Sequence, residues 1–458
     1  MHPFHRPRFR PHYQVEIAGP DSLLLLAEDE HILLQGRLYR ILAPLLEGGL
    51  TVEEVIARVA GELSPAEVLF GMGRLHQKGY LCESDPVAPP LEDAYWNAVG
   101  VEYRQARQRL EERSVSLRSL EGVSAEPVRE ALQAQGIAVR DSGATLSLVL
   151  VDDYLRAPLA GLNQEALRTG RPWLLCKPVG RVSWLGPRFM PGQTACWECL
   201  AQRLRANRPI ESFLQRQRPG VPPLRPSRAA LEGTLLATAH LLASQVARHL
   251  VTGEDSLAQT LITLDMQSLR TERHPVTRRP QCPACGEREL VSRNQARPIL
   301  LTSQRKDAHR DGGHRRDAPE LLLQRHAHHV SALTGVVSLL ERLDPPGSPA
   351  PVFDSGPNLS LPSPTLGVLR HAFRSRSGGK GSTEAQARAS GLAEALERHS
   401  GVFQGDEARR FATFDDLGTD AVTPQTWLNY SEAQYLERES LNVSRVWPSR
   451  RVPHPFQP

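Results

Sequence analysis

Apolar residues recur along this chain in two rhythms, and the change from one to the other sets the first reading. Near the start, Tyr13 to Ile17, Ser22 to Ala27 and His31 to Gln35 read as strands separated by Gly-Pro-Asp and acidic turns. The period then lengthens. Leu38, Ile41, Leu42, Leu45 and Leu46 fall on one helical face, and Thr51 with Glu54 forms a capping box ahead of Val55, Ile56 and Val59. A third helix is announced by Ser64 at the N-cap, Pro65 at the first helical position and Glu67 closing the box, with Val68, Leu69, Met72 and Leu75 along one side.

Strands followed by three short helices predict a small winged helix-turn-helix over residues 1–85, a module often associated with DNA. The third helix speaks against that use, because Ala66, Val68, Leu69, Phe70 and Gly71 stand where a recognition helix needs cationic or amide side chains. An apolar groove between this helix and the strand His31 to Gln35 suits an extended peptide added to the strand edge. The pattern resembles the PqqD-like element that binds leader peptides in ribosomal peptide modification. That resemblance makes His31, Ile32, Leu33, Leu34, Val68, Leu69, Met72 and Leu75 the candidate peptide-binding residues. The alternative is that these Leu and Val residues are simply core.

After the break Asp85-Pro-Val-Ala-Pro-Pro90, helical and strand-like stretches alternate. Helices are expected at Tyr103 to Glu112 and Ala125 to Gln135, and strands at Pro172 to Cys176 and Val182 to Gly186. The run Leu146 to Val151 reads as a buried central strand ending in Asp152-Asp153. Ala229 to Leu250 is the most apolar long stretch, but Glu232, His240, Gln245 and Arg248 make it a buried helix of a soluble protein rather than a membrane span. A second Pro-rich break runs from Asp344 through Pro364. Between Gln304 and His329, the histidines His309, His314, His326, His328 and His329 read as part of a solvated linker rather than a metal site.

With 458 residues there is material for two or three cores, so a multidomain chain is expected. The 55 Lys and Arg nearly balance 51 Asp and Glu, which leaves no field strong enough to imply nucleic acid. No signal-peptide core follows the basic N-terminus, and six cysteines are too few for a disulfide scaffold, so the cytoplasm is the expected location.

Four of the six form Cys196-x-x-Cys199 and Cys282-x-x-Cys285, a pattern suited to one tetrahedral structural zinc, with a redox pair as the competing use. Cys82 and Cys176 have no such partners and read as plain buried thiols. The stretch Gly192 to Leu200 with Cys282-Pro-Ala-Cys-Gly286 resembles the zinc-binding part of the ThiF and ubiquitin-activating enzyme family. No G-x-G-x-x-G follows a strand, and the nearest match, Gly71 to His76, fails its third glycine. The degenerate docking subunit of azoline-forming cyclodehydratases is the closer resemblance, supported by Asp152-Asp-Tyr-Leu155, Arg171-Pro-Trp173 and Gly186-Pro187.

The last segment opens on Gly378-Gly-Lys-Gly-Ser-Thr383, a glycine loop able to cradle phosphate at a helix N-terminus, though not a Walker loop. Along the helix that follows to about Ser400, Ser390, Glu394, Glu397 and Arg398 share one polar stripe. An exposed Glu394–Arg398 ion pair would account for part of it. The order Ser390-x-x-x-Glu394-x-x-Glu397-Arg398, preceded by Gly379-Lys-Gly381 and Gln386-Ala387, resembles the first nucleotide-binding motif of YcaO domains. The resemblance implies ATP and magnesium, with Glu394 and Glu397 as magnesium ligands, Ser390 and Arg398 near the nucleotide and Lys380 on phosphate. YcaO domains continue well beyond the equivalent of Pro458, so a truncated segment is expected.

The whole reads as an α/β multidomain chain: a winged helix-turn-helix at 1–85, a degenerate ThiF-like α/β domain with a four-cysteine zinc site at 91–290, a linker region at 291–364 and a truncated α+β YcaO segment at 365–458. The implied function is binding a ribosomal precursor's leader and supporting ATP-dependent cyclodehydration of Cys, Ser or Thr to azolines, as in bacteriocin-type biosynthesis. Expected partners are the precursor, a separate YcaO protein or a dehydrogenase, and a second copy of the chain, with no nucleic acid and no membrane. The alternatives are a non-catalytic scaffold presenting the precursor to a separate YcaO enzyme, and a zinc-stabilised DNA-binding regulator.

Overall fold

Strand alternation and two helix caps set the first fold. In the computed structural model, residues 4–120, 122–219, 224, 228–287, 289–303, 317–345, 347–357, 365–445 and 450–455 are described. β1 (Pro7–Phe9) is followed by an antiparallel meander of β2 (Gln14–Gly19), β3 (Ser22–Leu26) and β4 (His31–Gln35). The helices α1 (Arg37–Leu42), α2 (Val52–Arg58) and α3 (Pro65–Gln77) come next, and β5 (Leu81–Glu83) returns to pair with β1. Pro44 cannot donate a main-chain hydrogen bond, and the first helix gives way to a 3-10 turn at Ala43–Leu45 instead of running on to Leu46. Both expected capping boxes are present: Thr51 Oγ1 accepts from Glu54 N at 3.2 Å, and Ser64 Oγ from Glu67 N at 3.3 Å. Gly71 lets α3 approach α1, since a Cβ there would lie 2.8 Å from the Leu38 side chain. This glycine is a packing device.

The second domain is a three-layer α/β fold. α4 (Pro90–Ala98), α5 (Tyr103–Glu112), β6 (Ser114–Ser119), α6 (Glu126–Ala134), β7 (Ala138–Val139), β8 (Leu146–Leu150), α7 (Pro158–Thr169) and β9 (Trp173–Lys177) build its parallel half. β10 (Val182–Phe189) reverses direction, α8 (Trp197–Ala206), α9 (Pro209–Gln217) and α10 (Glu232–Thr252) follow, and antiparallel β11 (Thr260–Asp265) and β12 (Thr271–Pro275) complete the sheet. The strand order is β12-β11-β10-β9-β8-β6-β7.

Alternate residues of the central strand serve opposite faces. Leu146, Leu148 and Leu150 join α5, α6 and α10 in one core, while Val149 and Val151 join α7 and α8 in the other. α10, read from sequence as a buried helix, is covered along one face: Thr238, Ala239, Leu242 and Val246 are buried, but Leu236 and Leu241 stay exposed. Among the described residues no helix is long and apolar enough to cross a membrane.

Residues 319–345 and 347–357, read from sequence as part of a linker, form helix, loop and strand. After α11 (Leu290–Gln295), which belongs to a separate body, come α12 (Pro319–His326), a loop through residue 337, β13 (Glu341–Arg342) and β14 (Val352–Pro357). α13 (Leu366–Arg374), β15 (Arg376–Lys380) and α14 (Glu384–Ser400) follow, and the sheet order is β13-β14-β15. Val330, Val336 and Val337, together with Leu322 and Leu323, pack against Leu392 and Ala395 of α14. These apolar residues are interrupted by Gln, Arg and His, which hides their pattern from a periodicity reading. His309, His314 and much of the second Pro-rich break lie outside the described residues.

The remaining body comprises residues 288–300 and 403–458, and divides the segment that the sequence suggested as one unit from 365 onward. It carries α15 (Phe414–Leu417), α16 (Pro424–Leu428), α17 (Glu432–Leu436) and α18 (Arg438–Val443). Trp427, Leu436 and Val443 are largely exposed there, while Val452 is buried and exchanges two hydrogen bonds with Asn442.

Candidate functional site

Three places bring sequence-predicted residues together. On the first domain, β4 is hydrogen-bonded to β3 on one side, and its other edge has no strand partner among the described residues. His31 and Leu33 point outward, whereas Ile32 and Leu34 lean on the core. On α3 the structure corrects the expected groove: Val68, Met72 and Leu75 are fully buried, because their spacing is that of the helix's core stripe. Leu69 and Phe70 instead present apolar surface, 40% and 61% exposed, as does Leu33 at 54%. Phe70 is not among the peptide-binding residues that the sequence suggests. Its exposure beside Leu69 could be found only by assigning the opposite stripe to the core.

The second place is the cysteine cluster. Cys196 caps α8, Cys199 sits in its first turn, and Cys282 and Cys285 lie on a tight turn in which the Gly286 main-chain N–H donates to Cys282 O at 2.8 Å. A Cβ at Gly286 would lie 2.2 Å from Pro280 O, so this turn requires glycine. The four Sγ atoms fall within 4.8 Å of one another, with Cys196–Cys282 at 3.6 Å and Cys199–Cys285 at 3.5 Å. A tetrahedron with metal–sulfur bonds of about 2.3 Å has edges of about 3.8 Å. The thiols therefore stand where one ion could hold all four.

The Arg279 main-chain N–H donates to Cys199 Sγ at 3.4 Å, the kind of bond that stabilises a ligating thiolate. Hydrogen bonds from Cys196 and then Cys199 draw the Cys282 thiol far down and Cys285 down to about 7, while the bonds that Cys196 makes push it up. Cys82 and Cys176 stand apart from the cluster and are buried, and burial pushes Cys82 up to about 11 and Cys176 higher.

At the carboxyl edge of β8, Asp152 is buried and accepts from Arg156 Nε at 2.5 Å and Arg228 Nη1 at 2.6 Å. Burial alone would raise its pKa, but the two guanidiniums outweigh that and hold the carboxyl below its usual value. Asp153 pairs with Arg208 at 3.0 Å. Nearby, burial and then Arg228 push Lys177 down to about 8, and its ammonium donates to Val182 O at 2.5 Å. Internal ion pairs thus take up both aspartates at this edge.

The third place is the β15–α14 unit. The stretch Gly378 to Lys380, expected as a flexible phosphate-cradling loop, is instead strand paired with β14. A Cβ at Gly379 would lie 2.1 Å from Ala387 O and from Gly391 N, so these glycines let the strand lie against α14. Lys380 is exposed at the strand's end. On α14, Glu394 Oε2 accepts from the Gly378 main-chain N–H at 3.3 Å, and Oε1 pairs with Arg398 Nη2 at 2.5 Å. Arg398 also donates to Arg376 O at 3.1 Å. Ser390 is half-buried and Glu397 exposed, so the stripe has one carboxylate held against the strand and one toward solvent.

Four residues that sequence reading missed meet at the 330–337 loop: Asn207 and His274 of the second domain bond the Leu333 carbonyl and Ser331, and Thr334 bonds Ser331 within the loop. Each is an isolated polar residue carrying no motif.

Comparison with known proteins accords with this geometry. Residues 378–454 match the family model described as YcaO cyclodehydratase, ATP- and Mg2+-binding, and residues 8–83 match a winged helix-turn-helix domain. No curated protein matches. Among solved structures, the chain is similar to a heterocyclase in complex with substrate and cofactor, at 35% identity and a TM-score of 0.90 over 99% of this chain and 62% of that one. It is similar also to the heterocyclase TruD, at 33% identity and a TM-score of 0.79 over 99% of this chain and 60% of that one. The chain therefore spans about three fifths of the length of these relatives. Residues 378–454 thus match the YcaO cyclodehydratase model, within a chain whose fold is that of these heterocyclases.

Proposed function

We propose that the chain captures the leader of a ribosomal precursor peptide and supports ATP-dependent cyclodehydration of its Cys, Ser or Thr residues to azolines. The observation that carries this reading is the coincidence, in one chain, of a YcaO segment and a heterocyclase fold matched from end to end, with one such heterocyclase solved with substrate and cofactor. An extended leader would add to the open edge of β4 by main-chain hydrogen bonds, with apolar leader side chains against Leu33, Leu69 and Phe70. Val68, Met72 and Leu75 serve this only by fixing α3.

In the reaction, a side-chain thiol or hydroxyl adds to the preceding amide carbonyl and loses its proton. The amide oxygen, a poor leaving group, departs once phosphorylated, and loss of the N–H proton completes the C=N bond. ATP with magnesium supplies the phosphoryl group and offsets its charge when bound. Glu394 and Glu397 are the carboxylates of this chain that would hold magnesium, with Ser390 and Arg398 toward the nucleotide and Lys380 toward phosphate. The cluster of Cys196, Cys199, Cys282 and Cys285 would hold zinc as a structural ion joining α8 to the 279–286 turn.

The test is fluorescence-anisotropy titration of a labelled leader peptide encoded near the gene. Saturable binding is expected. Leu69→Asp, on exposed surface, should weaken it at least about tenfold, the scale of placing a charge in an apolar contact, with thermal stability little changed. No binding by any nearby leader would defeat the proposal.

A further inference from the structure

We propose that the loop of residues 330–337 is a joint through which the cysteine-bearing domain positions α14, with Asn207 and His274 as its positioning residues. In so far as α14 holds nucleotide ligands, this rests on the function proposed above.

The joint is built from both sides. Asn207 is the C-cap of α8, the helix whose N-terminal turn carries Cys196 and Cys199. Its amide nitrogen donates both hydrogens into the loop, to Leu333 O at 2.9 Å and Gly335 O at 3.0 Å. From the sheet, His274 on β12 reaches Ser331 Oγ through Nδ1 at 2.9 Å and Thr263 Oγ1 of β11 through Nε2 at 3.0 Å. All three of these side chains are buried, so breaking the chain would strand polar atoms without water.

The loop is itself rigid in design. Ser331 Oγ accepts from the main-chain N–H groups of Leu333 and Thr334, at 3.2 and 3.1 Å, and a Cβ at Gly335 would lie 2.4 Å from Ser331 N. Its far end delivers Val337, 1% exposed, into a core with Leu392 and Ala395 of α14. Ala395 directly follows Glu394, the carboxylate that accepts from β15. α8 is thus a strut with the cysteine cluster at one end and, through Asn207 and the loop, the glutamate-bearing helix at the other.

Hydrogen–deuterium exchange of the full chain tests the joint. Asn207→Ala removes two donors without touching a cysteine or α14, and should accelerate exchange about tenfold in both 330–337 and 384–400. Exchange in β8 and α3 should not change. Asn207→Asp keeps the shape but loses the donors and should behave like Asn207→Ala, whereas Asn207→Gln, which keeps them, should recover part of the protection. Acceleration confined to 330–337, acceleration of β8 by the same factor, or an Asn207→Asp chain that exchanges like the unaltered one would each overturn the proposal. Adding ATP with magnesium to the unaltered chain separates the two readings. If 384–400 gains no protection, the nucleotide assignment of α14 falls, and the joint still stands or falls on Asn207.

Discussion

Gly379 shows how much a single residue can mislead when only its neighbours in sequence are visible. Glycines flanking a lysine ahead of a helix suggest a backbone cradle for phosphate, and the local composition supports that use. What decides it is a residue eight positions later: Ala387 O, together with Gly391 N, occupies the space any side chain at 379 would need. Gly379→Ala is therefore expected to destabilise the 319–402 segment by about 2–3 kcal/mol, since backbone on both sides must move to relieve the overlap. Urea denaturation followed by a probe in α14 would measure it, and a Gly379→Ala chain as stable as the parent would mean that the strand and helix are less closely apposed than described. Peptide-site residues show the converse. Leu69, suggested for the peptide site, does lie exposed, but Val68, Met72 and Leu75 belong to the core because a three-to-four residue spacing marks whichever helix face is buried, whatever its partner.

Elements whose signals are local were the most legible. The caps at Thr51 and Ser64 need only residues three apart, and both boxes form. The paired Cys-x-x-Cys turns were legible for the same reason, although their convergence across 86 residues is a product of the fold. The zinc proposed for this site rests on that convergence. The purified chain should carry about one zinc, the stoichiometry of a closed four-thiolate site, and Cys282→Ser should lose most of it and unfold at a lower temperature. Atomic emission on both proteins checks this, and undiminished zinc in the Cys282→Ser chain would move the site elsewhere. By contrast, β13, β14 and the 330–337 loop were illegible. They pair with β15 and α14, up to about 60 residues away, and their short apolar runs are broken by polar residues that the tertiary fold, not the local period, accommodates.

At the scale of the first body as a whole, the layer carrying α12 and α14 meets the α/β domain through histidines held neutral by burial. His329 is pushed down to about 4, by burial first and then by His328, His326, Arg203 and His399. His399, at the end of α14, is pushed down to about 4 by burial and then by Arg203 and Arg279. Burial likewise lowers His274 despite the opposing pull of Glu272. In the unfolded chain these imidazoles titrate near 6.5. Below that pH the unfolded state binds protons that the folded state refuses. The stability they contribute is therefore complete above about 6.5 and is lost progressively as pH falls toward about 4. The loss should be felt first where the histidines lie, because each added proton places a cation beside Arg203 or Arg279. Protection factors in 326–340 and 384–400, which divide out the intrinsic slowing of exchange at lower pH, should fall between pH 7 and pH 5. Histidine C2-hydrogen exchange read by mass spectrometry gives the individual midpoints, and zinc content measured on the same samples separates this effect from metal loss. Midpoints near 4 with zinc retained would establish the histidines as the acid-labile part of this contact; midpoints near 6.5 for both His329 and His399 would mean that water reaches them and that α12 and α14 are held by their apolar residues alone.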